Sequence, residues 1–581
     1  MDVCDSATTF ETRRRLYLDE AWRAVPRILA SVDLNSFGPS YGCCDRQFWH
    51  YRTAAFPSEM YQEAALPLAL AYRHDLPGNR WHGEMRLAEA ATAALRFSMR
   101  SAHADGSADD YYPQERALGA VVFSLQAATE AYRLLSLDDE LLLDFFQRRA
   151  WWVARHDESG RLTNHHALAA LAVWRTGELL DCPRLKQAAL QRAKQVIGWQ
   201  SSEGWFPEYG GADPGYQTVT IDCLAKLRRE AQLDFLDEPL ARAVCFSRWF
   251  QSPDGSYGGV YGSRGTRHLY PHGMELLAAE VSDAAQLADG FLDSLAAGHA
   301  AQFDDDRMYV HRAGNLIEAY LDARPRMSEN EFRTADRRVR ERWFPKARLF
   351  VLQGPTDHFV AAPSRGGSFQ AASMVSNAVG SRVDSGLDVE LSDGTTGISQ
   401  THDLERPLHV RFNDEGRAAV IRVESMLQRI RFERATPVKQ ALLHFAAIAL
   451  GGWGRGVLRR LLQGRVIHAN RSLPIRSTRT LERGATGDAS QFTWRVVDQI
   501  ELLNRETKVR SMAFASEFQA AYTAATSVYQ TSLLQPWRNL DELVAVLNRE
   551  RRVEIVRQIG ASDRASLNCS LSPRVTPCAA R

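Results

Sequence analysis

A short phrase occurs twice in this chain, and its repetition constrains the fold more than any other feature. The first copy spans 199–205 and the second 250–257. Each contains an aromatic residue, a Gln, an acidic residue, a Gly and a second aromatic residue, and each follows a helix-like segment. The two glutamines, Gln200 and Gln251, are 51 positions apart. A period of that length is typical of stacked helical hairpins.

Looser copies of the same unit occur on both sides, at 41–52, 105–112, 158–166 and 304–311. In each, a helix ends at an acidic or Gly-rich turn, because Gly tolerates the left-handed conformation that ends a helix. One hairpin cannot bury its apolar face alone, so neighbours must close on each other. About six units predict an (α/α)6 toroid over 41–340, after a helical lead-in at 1–40. All its loops, and therefore the chemistry, are expected at one end.

After Lys346 the pattern changes to short alternating segments separated by turn residues such as Asp393-Gly394. This predicts an antiparallel β-sandwich over 346–562, with a helical insertion at 438–465 and a disordered tail at 563–581, so that the fold class is α+β. The predicted strands are 348–353, 358–362, 369–379, 387–391, 408–412, 418–424, 491–502, 508–514 and 526–534. The charged stretch 324–342 is interpreted as the connection between the two domains.

Composition excludes several classes of protein. The net charge of +1 gives no reason to expect a nucleic-acid partner. The eight Cys contain no C-x-x-C pair, which argues against a zinc ribbon or a disulfide framework, and we expect neither metal nor cofactor. The first 15 residues lack a signal-peptide pattern, and no apolar run reaches roughly 18 residues. We therefore expect a cytoplasmic protein for which association with a membrane is possible.

Two motifs carry a resemblance to a known family. Residues 163–166 read Thr-Asn-His-His, and residues 208–217 form a Gly-rich loop that ends in Tyr216-Gln217. With the helical repeat and the β-rich half, they resemble the Asn-His pair and the catalytic-Tyr loop of the heparinase II/III-like and alginate-lyase-like polysaccharide lyases. Asn164 and Tyr216 are 52 residues apart, which is one unit. The family's Gly-His-rich sandwich motif has no counterpart, since His358 and His402 lack its spacing.

The resemblance implies β-elimination on an anionic polysaccharide or oligosaccharide that contains uronate. Removal of the C5 proton leaves an enolate-like dianion, so the site needs a base and a group that neutralises the carboxylate. Asn164 and a protonated His165 would hold the carboxylate, and Tyr216 would move the proton. Other expected substrate-binding residues supply positive charge or rings that stack on sugars. They are Tyr112, Trp205, Glu208, Tyr257, Tyr261, Arg264, His268 and Tyr270. We expect Asn164, His165, Tyr216 and Arg264 to line one cleft.

Other interpretations of the same residues stay open. Asn164 can be a helix N-cap, Tyr216 a core aromatic, and the basic loop around Arg264, Arg267 and His268 a solvated surface. A C5-epimerase acting on an exopolysaccharide or a lipid-linked glycan would use the same proton abstraction. A glycoside hydrolase would instead need two carboxylates, for which Glu203, Glu208 and Asp213 are the candidates. A non-catalytic glycan-binding protein would need none of this chemistry.

The insertion begins with an almost wholly apolar stretch, 440–450, followed by Trp453 and several Arg. An apolar stretch with an interfacial Trp and Arg is what an in-plane membrane helix requires, so 440–463 is a possible site of peripheral membrane contact. In that case Phe445, Ile448 and Trp453 would point to solvent. The alternative is a helix that covers the sandwich or packs on the toroid.

Overall fold

The computed structural model describes residues 3–158, 161–302, 308–326, 339–375, 378–430, 436–449, 471–484, 493–517 and 534–560. Helices fill the N-terminal part and antiparallel sheets the C-terminal part, which confirms the α+β class. The helices are α1 (Val3–Ser31), α2 (Arg46–Trp49), α3 (Ala65–Arg73), α4 (Met85–Ser101), α5 (Leu118–Leu134), α6 (Glu140–Arg155), α7 (Thr163–Leu179), α8 (Pro183–Ile197), α9 (Pro214–Ala231), α10 (Asp237–Arg248), α11 (His272–Leu277), α12 (Ser282–Ala297), α13 (Tyr309–Asp322), α14 (Pro437–Ala449) and α15 (Val544–Glu550).

Strands follow α13, apart from one short hairpin inside the helical part, and α14 and α15 lie between strands. They are β1 (Pro207–Glu208), β2 (Gly211–Ala212), β3 (Arg340–Phe344), β4 (Leu349–Gln353), β5 (Asp357–Ala362), β6 (Ser368–Val375), β7 (Ala378–Asp384), β8 (Gly386–Leu391), β9 (Thr396–Ile398), β10 (Leu408–Phe412), β11 (Ala418–Arg429), β12 (Ser472–Arg483), β13 (Thr493–Leu502), β14 (Val509–Ala515), β15 (Arg538–Asn539) and β16 (Arg552–Gly560). The charged stretch 324–342 is thus not wholly a connection, since β3 begins inside it.

Six helices pack in a closed circuit. Helix α3 contacts α5, and contacts continue from α5 to α7, α9, α11 and α13 and back to α3. A second set, α1, α4, α6, α8, α10 and α12, packs against members of this circuit. Helix α5 is buried along almost its whole length, and its sequence is apolar on every side. A helix surrounded by neighbours must have this character, whereas α4 and α6 are apolar on one face only.

The acidic-Gly turn of the repeat has one geometry in three units. The glycines are Gly106, Gly204 and Gly255. Their φ angles are 87°, 99° and 76°, a region that other residues rarely adopt. A Cβ at these positions would lie 2.7, 2.3 and 1.9 Å from backbone atoms of α6, α10 and α12. Each glycine therefore marks the point where a turn approaches the backbone of the next hairpin.

The repeated Gln joins the same turn to the same neighbour. Nε2 of Gln200 donates to the carbonyl groups of Gly204 and Pro239, at 3.0 and 2.8 Å. One unit later, Gln251 bonds to Gly255 at 3.5 Å and to a carbonyl of α12 at 3.0 Å. The phrase that reveals the repeat therefore holds successive hairpins together.

Replacing Gly204 with Ala is expected to lower the free energy of unfolding by about 2–4 kcal/mol. A left-handed non-Gly residue costs about 1–2 kcal/mol, and a methyl group 2.3 Å from the Arg242 carbonyl oxygen adds overlap. The matched control is Gly298→Ala, which has a φ of 72° but nothing within 4 Å of the added atom. Urea denaturation followed by circular dichroism compares the two variants. Equal losses would contradict the close approach.

The strands form two main antiparallel sheets. Within the described residues, one has the order β3-β4-β5-β6-β7, and the other contains β8–β16. Phe359 of the first sheet stacks on Trp494 of the second with ring centroids 4.9 Å apart, so the sheets face each other there. The predicted strand 369–379 is two strands, β6 and β7, and β12 and β16 were not predicted. The predicted strand 526–534 lies almost wholly, and the tail 563–581 wholly, outside the described residues.

The repeated phrases also dock the sheets onto the helices. The Glu203 carboxylate accepts hydrogen bonds from Trp205 Nε1 and from the backbone N–H groups of Lys346 and Ala347, at 2.9, 2.7 and 2.9 Å. In the second copy, the Ser252 hydroxyl is hydrogen-bonded to Nδ1 of His358 of β5 at 3.2 Å. The acidic residue of the first phrase is therefore engaged in holding the two parts together.

Helix α14 does not cover a sheet along its described apolar face. Val438, Leu442 and Phe445 are 68%, 63% and 72% exposed. The side chain of Ile448, and all of 450–470 with Trp453, lie outside what the structure describes. Among the described helices, none combines the length and hydropathy that crossing a bilayer requires. The covering-helix interpretation is therefore not supported for residues 437–446.

Candidate functional site

Aromatic rings mark the end of the helical circuit where the loops gather. Phe123 of α5 contacts His165 of α7 edge-on at 6.0 Å and His311 of α13 at 5.1 Å. His311 in turn contacts Tyr270 at 4.9 Å, just before α11. Helices α7 and α13 both begin at this end, and Phe123 lies near the start of α5. Helix N-termini carry partial positive charge, so this end of the circuit favours anions.

Asn164 is buried and pairs with a buried acid at this end. Its Nδ2 donates to Oε2 of Glu208 at 2.7 Å, and its Oδ1 has no partner in the described part of the chain. Leu162, not Asn164, is the N-cap of α7, so the capping interpretation is wrong. Thr163 Oγ1 donates to the Pro207 carbonyl at 2.6 Å, which fixes the β1–β2 hairpin against the helix.

The protonation of Glu208 changes near neutral pH. Burial raises the pKa of its carboxyl to about 7, and the charges of His165 and Arg264 and the bond from Asn164 only partly offset this. A carboxyl of this kind is a neutral hydrogen-bond donor in part of the population at neutral pH. Perturbed acids of this kind are concentrated at functional sites.

This raised pKa predicts a pH-dependent stability. The folded state holds the Glu208 proton up to about pH 7, whereas an unfolded Glu loses it near its ordinary pKa of 4.5. The folded state is therefore penalised as pH rises from about 4.5 to 7, by about 3 kcal/mol in total. Glu208→Gln keeps an acceptor for Asn164, so it should match the wild type at pH 4.5 and be more stable at pH 8. Urea denaturation at both values measures this, and equal stability at pH 8 would contradict the burial.

The hairpin also positions a phenol that the sequence analysis did not select. Tyr209 and Gly210 connect β1 to β2 with φ of 52° and 82°, the positive pair typical of a type I′ turn. The Arg264 guanidinium lies over the Tyr209 ring at 4.4 Å and is 5.8 Å from the Tyr216 ring. The Arg264 guanidinium therefore lies close to the rings of both Tyr209 and Tyr216.

Asp213 joins the loops that carry Tyr216 and Arg264. Its carboxylate caps α9 by accepting from the backbone N–H of Tyr216 at 3.1 Å, and it accepts from the backbone N–H of Arg264 at 2.8 Å. The contacts around Glu208, Tyr209 and Asp213 bring Asn164, His165, Tyr216 and Arg264 into one neighbourhood. Asp213 and Glu203 both accept backbone hydrogen bonds.

The two adjacent histidines have different environments. His165 is partly exposed, with its ring edge on Phe123 and its Nδ1 hydrogen-bonded to Glu158. His166 is buried, and its Nδ1 accepts from Arg192 at 2.8 Å. Burial and the Arg192 charge lower the pKa of His166 to about 4. Only His165 is therefore directed to the candidate site.

A histidine from the sheets reaches the same hairpin. The ring of His402 lies so close to Gly211 that a Cβ there would be 2.2 Å from Nε2. Burial, together with the charges of Arg365 and Arg406, lowers the pKa of His402 to about 3, so it is neutral. Its Nε2 has no hydrogen-bond partner within the described ranges. Local spacing gave no reason to select it, because its contact with Gly211 joins distant parts of the chain.

Several predicted sugar-binding side chains are packed inside the protein. Trp205, Tyr257 and Tyr261 are 7%, 5% and 1% exposed; Tyr257 donates to the Pro214 carbonyl at 3.2 Å, and Tyr261 stacks on Phe250. Tyr112 is half-buried on the loop before α5.

His268 was expected to supply positive charge, but the structure corrects this. It is buried against Tyr216 and Tyr270, with ring centroids 5.3 and 5.1 Å away. Burial lowers its pKa to about 3, and the charges of His311 and Arg312 lower it further. His268 is therefore a neutral member of the ring cluster.

In the described ranges, no group of three or more His, Cys, Asp or Glu could hold a metal ion.

Comparison with known proteins gives only distant similarities. No protein-family model and no curated protein sequence matches the chain. Among solved structures, a Paenibacillus xanthan lyase is 10% identical and aligns over 87% of this chain and 46% of its own, with a TM-score of 0.47. A Streptomyces coelicolor A3 chondroitin AC lyase in complex with chondroitin sulphate is 11% identical over 87% and 68%, with the same TM-score. This chain spans less than half the length of the xanthan lyase.

Proposed function

We propose that this chain is a polysaccharide lyase that cleaves a uronate-containing glycan by β-elimination, with the helical circuit as an (α/α)6 toroid and the sheets as a β-sandwich. The observation that carries the proposal is the Arg264 guanidinium beside Tyr216, next to the buried Asn164–Glu208 pair. A cation, a phenol and neutral amide and acid donors are the groups that C5 proton abstraction requires.

The uronate carboxylate is the group that must be neutralised. Burial acts against the charge of Arg264, but the neighbouring Tyr216, Tyr209 and Glu208 keep its pKa above the ordinary range, so it is a permanent cation. The Asn164 amide and the protonated form of Glu208 can donate hydrogen bonds to the carboxylate oxygens. These bonds strengthen as negative charge develops on those oxygens in the transition state. Ionised Glu208 would instead repel the substrate.

Tyr216 is proposed to move the proton. Its phenolate, stabilised by Arg264, takes the proton from C5; the C–H electron pair forms the C4–C5 double bond, and the C4–O bond breaks. The phenol then returns the proton to the leaving oxygen. His165, oriented by Glu158 through Nδ1, is the alternative base. An epimerase would share the first step and reprotonate C5 from the opposite face.

The test is incubation with polymers of glucuronate, galacturonate and mannuronate. A lyase generates the absorbance of an unsaturated sugar, whereas an epimerase leaves absorbance unchanged but incorporates deuterium at C5 in deuterated water, as read by NMR. An Arg264→Gln variant serves as the control for contaminating activity. Absence of both products with all three polymers would overturn the proposal and favour a hydrolase or a glycan-binding protein.

Membrane contact through 440–463 is a separate proposal, supported by the exposed apolar side chains of α14 and the Arg residues that follow in sequence. We expect the protein to co-sediment with vesicles containing anionic lipid, and Leu442→Ser/Phe445→Ser to reduce the bound fraction several-fold. The matched control is Leu141→Ser, because Leu141 is at an exposed position of α6. A buried residue such as Val25 would not be matched. Equal binding of all three proteins would contradict the contact.

A further inference from the structure

A small cavity lies behind the candidate site, between the loop 255–269 and helices α12 and α13. Arg267, Arg312, Ser294, Phe291 and Tyr257 are among its lining residues. The space free of atoms is about 230 Å³, including its opening, but the enclosed part has room for about one water-sized guest. A sugar or a sulfate group does not fit, so the cavity is distinct from the glycan site proposed above.

Arg267 brings an uncompensated charge to this cavity. Its Nε and Nη2 are buried without a hydrogen-bond partner, and no carboxylate in the described part of the chain lies within salt-bridge distance of it. Burial lowers the pKa of its guanidinium to about 10, which leaves it charged at neutral pH. Arg312, by contrast, is 3.3 Å from the carboxylate of Glu20. A buried cation without a counter-charge is strongly destabilising unless an anion accompanies it.

The other polar groups in the lining also suit an anion. Ser294 is fully buried and its Oγ has no hydrogen-bond partner in the described ranges, so its O–H is available as a donor. His268 is neutral, and no carboxylate belongs to the lining. Together these groups offer donors and positive charge to a guest, and the lining contains no carboxylate to balance a metal cation.

We propose that this cavity binds a chloride ion, held by the Arg267 guanidinium and the Ser294 hydroxyl. The net positive charge of the lining selects an anion, and the small enclosed volume selects a monatomic one. The ion would neutralise Arg267 within the loop that also carries Arg264. Chloride would thereby stabilise the folded state without touching the glycan.

Thermal unfolding in sodium chloride and in sodium gluconate at equal ionic strength tests the proposal. Saturating chloride is expected to raise the Tm by about 2–4 °C relative to gluconate. Arg267→Gln should lose this increment, and Ser294→Ala should require more chloride for half of it. Arg228→Gln, which removes a guanidinium whose salt bridges are with Glu280 and Asp237 elsewhere, should retain it in full.

A direct readout comes from crystals soaked in sodium bromide, where an anomalous peak beside Arg267 is expected. This measurement uses the wild type and therefore decides the question even if Arg267→Gln does not fold. Equal Tm values in the two salts, or no anomalous peak, would overturn the proposal. The alternative counter-charge for Arg267 is the acidic run 304–306. If that run neutralises Arg267, the wild type shows no chloride effect, and a variant with Asn at all three positions acquires a chloride effect. That result would also overturn the proposal.

Discussion

Replacing Tyr216 with Phe is expected to lower kcat/KM by about two to four orders of magnitude, the usual contribution of a group that transfers a proton in the transition state. The change removes one hydroxyl and keeps the ring that packs edge-on against His268. The Asp213 cap bonds to the backbone N–H of residue 216 and is also retained. The loss should therefore appear in the rate of formation of the unsaturated sugar and not in the Tm.

Tyr209→Phe is the matched control for this prediction. Tyr209 shares the same guanidinium at 4.4 Å, but burial raises its pKa to about 12, so it is poorly suited to act as a base. We expect it to retain at least about a tenth of the activity. If Tyr216→Phe is as active as Tyr209→Phe, Tyr216 is not the base, and a parallel loss in His165→Ala would assign the step to His165.

Replacing Lys226 with Met is expected to destabilise the protein by about 3–5 kcal/mol, the cost of breaking a buried ion pair. Lys226 of α9 is almost fully buried, with Nζ 2.9 Å from Asp222 and 2.7 Å from Glu318 of α13. Without the ammonium group, two carboxylates remain in the interior with less compensation. The cluster links two helices of the circuit far from Tyr216, so urea denaturation should reveal the effect.

Lys186→Met provides the comparison within the same protein. Its Nζ is 2.6 Å from Glu178, but the pair is at the surface, where solvent screens the charges, so the loss should be much smaller. The double variant Lys226→Met/Glu318→Gln should recover part of the stability, because it removes one of the stranded charges. A loss in Lys226→Met no larger than in Lys186→Met would show that the cluster is more hydrated than its burial indicates.

Local patterns in the sequence predicted the elements whose causes are local. The acidic-Gly turns could be predicted because Gly106, Gly204 and Gly255 occupy conformations that Gly alone adopts readily. Many strands could be predicted from alternation, as β8 and β11 show. Strand β12 was missed because it follows an insertion, and β3 because its Arg residues made it look like a connection. Such strands are recognised only from their partners in the sheet.

The candidate site was only partly accessible from sequence. Asn164, His165, Tyr216 and Arg264 were selected from a motif and its spacing. Tyr209 lies in the same loop but was not selected, although the Gly residues that follow it could have indicated a tight turn. His402 was considered and set aside because it lacks the motif's spacing, and its approach to Gly211 could not be predicted, because the two are nearly two hundred residues apart.

By itself, the sequence determined the helical repeat, the change to β-structure and the residue types available for chemistry, since these depend on periodicity and on the conformational preferences of single residues. Only the tertiary structure decided which of those residues meet and which are buried. In it, His165 packs against the Phe123 ring, whereas His166 bonds to Arg192. Asn164 bonds to Glu208 and does not cap a helix, and the apolar face of α14 is exposed. Burial and pairing depend on contacts between distant segments, and these contacts set the pKa values that determine the chemistry.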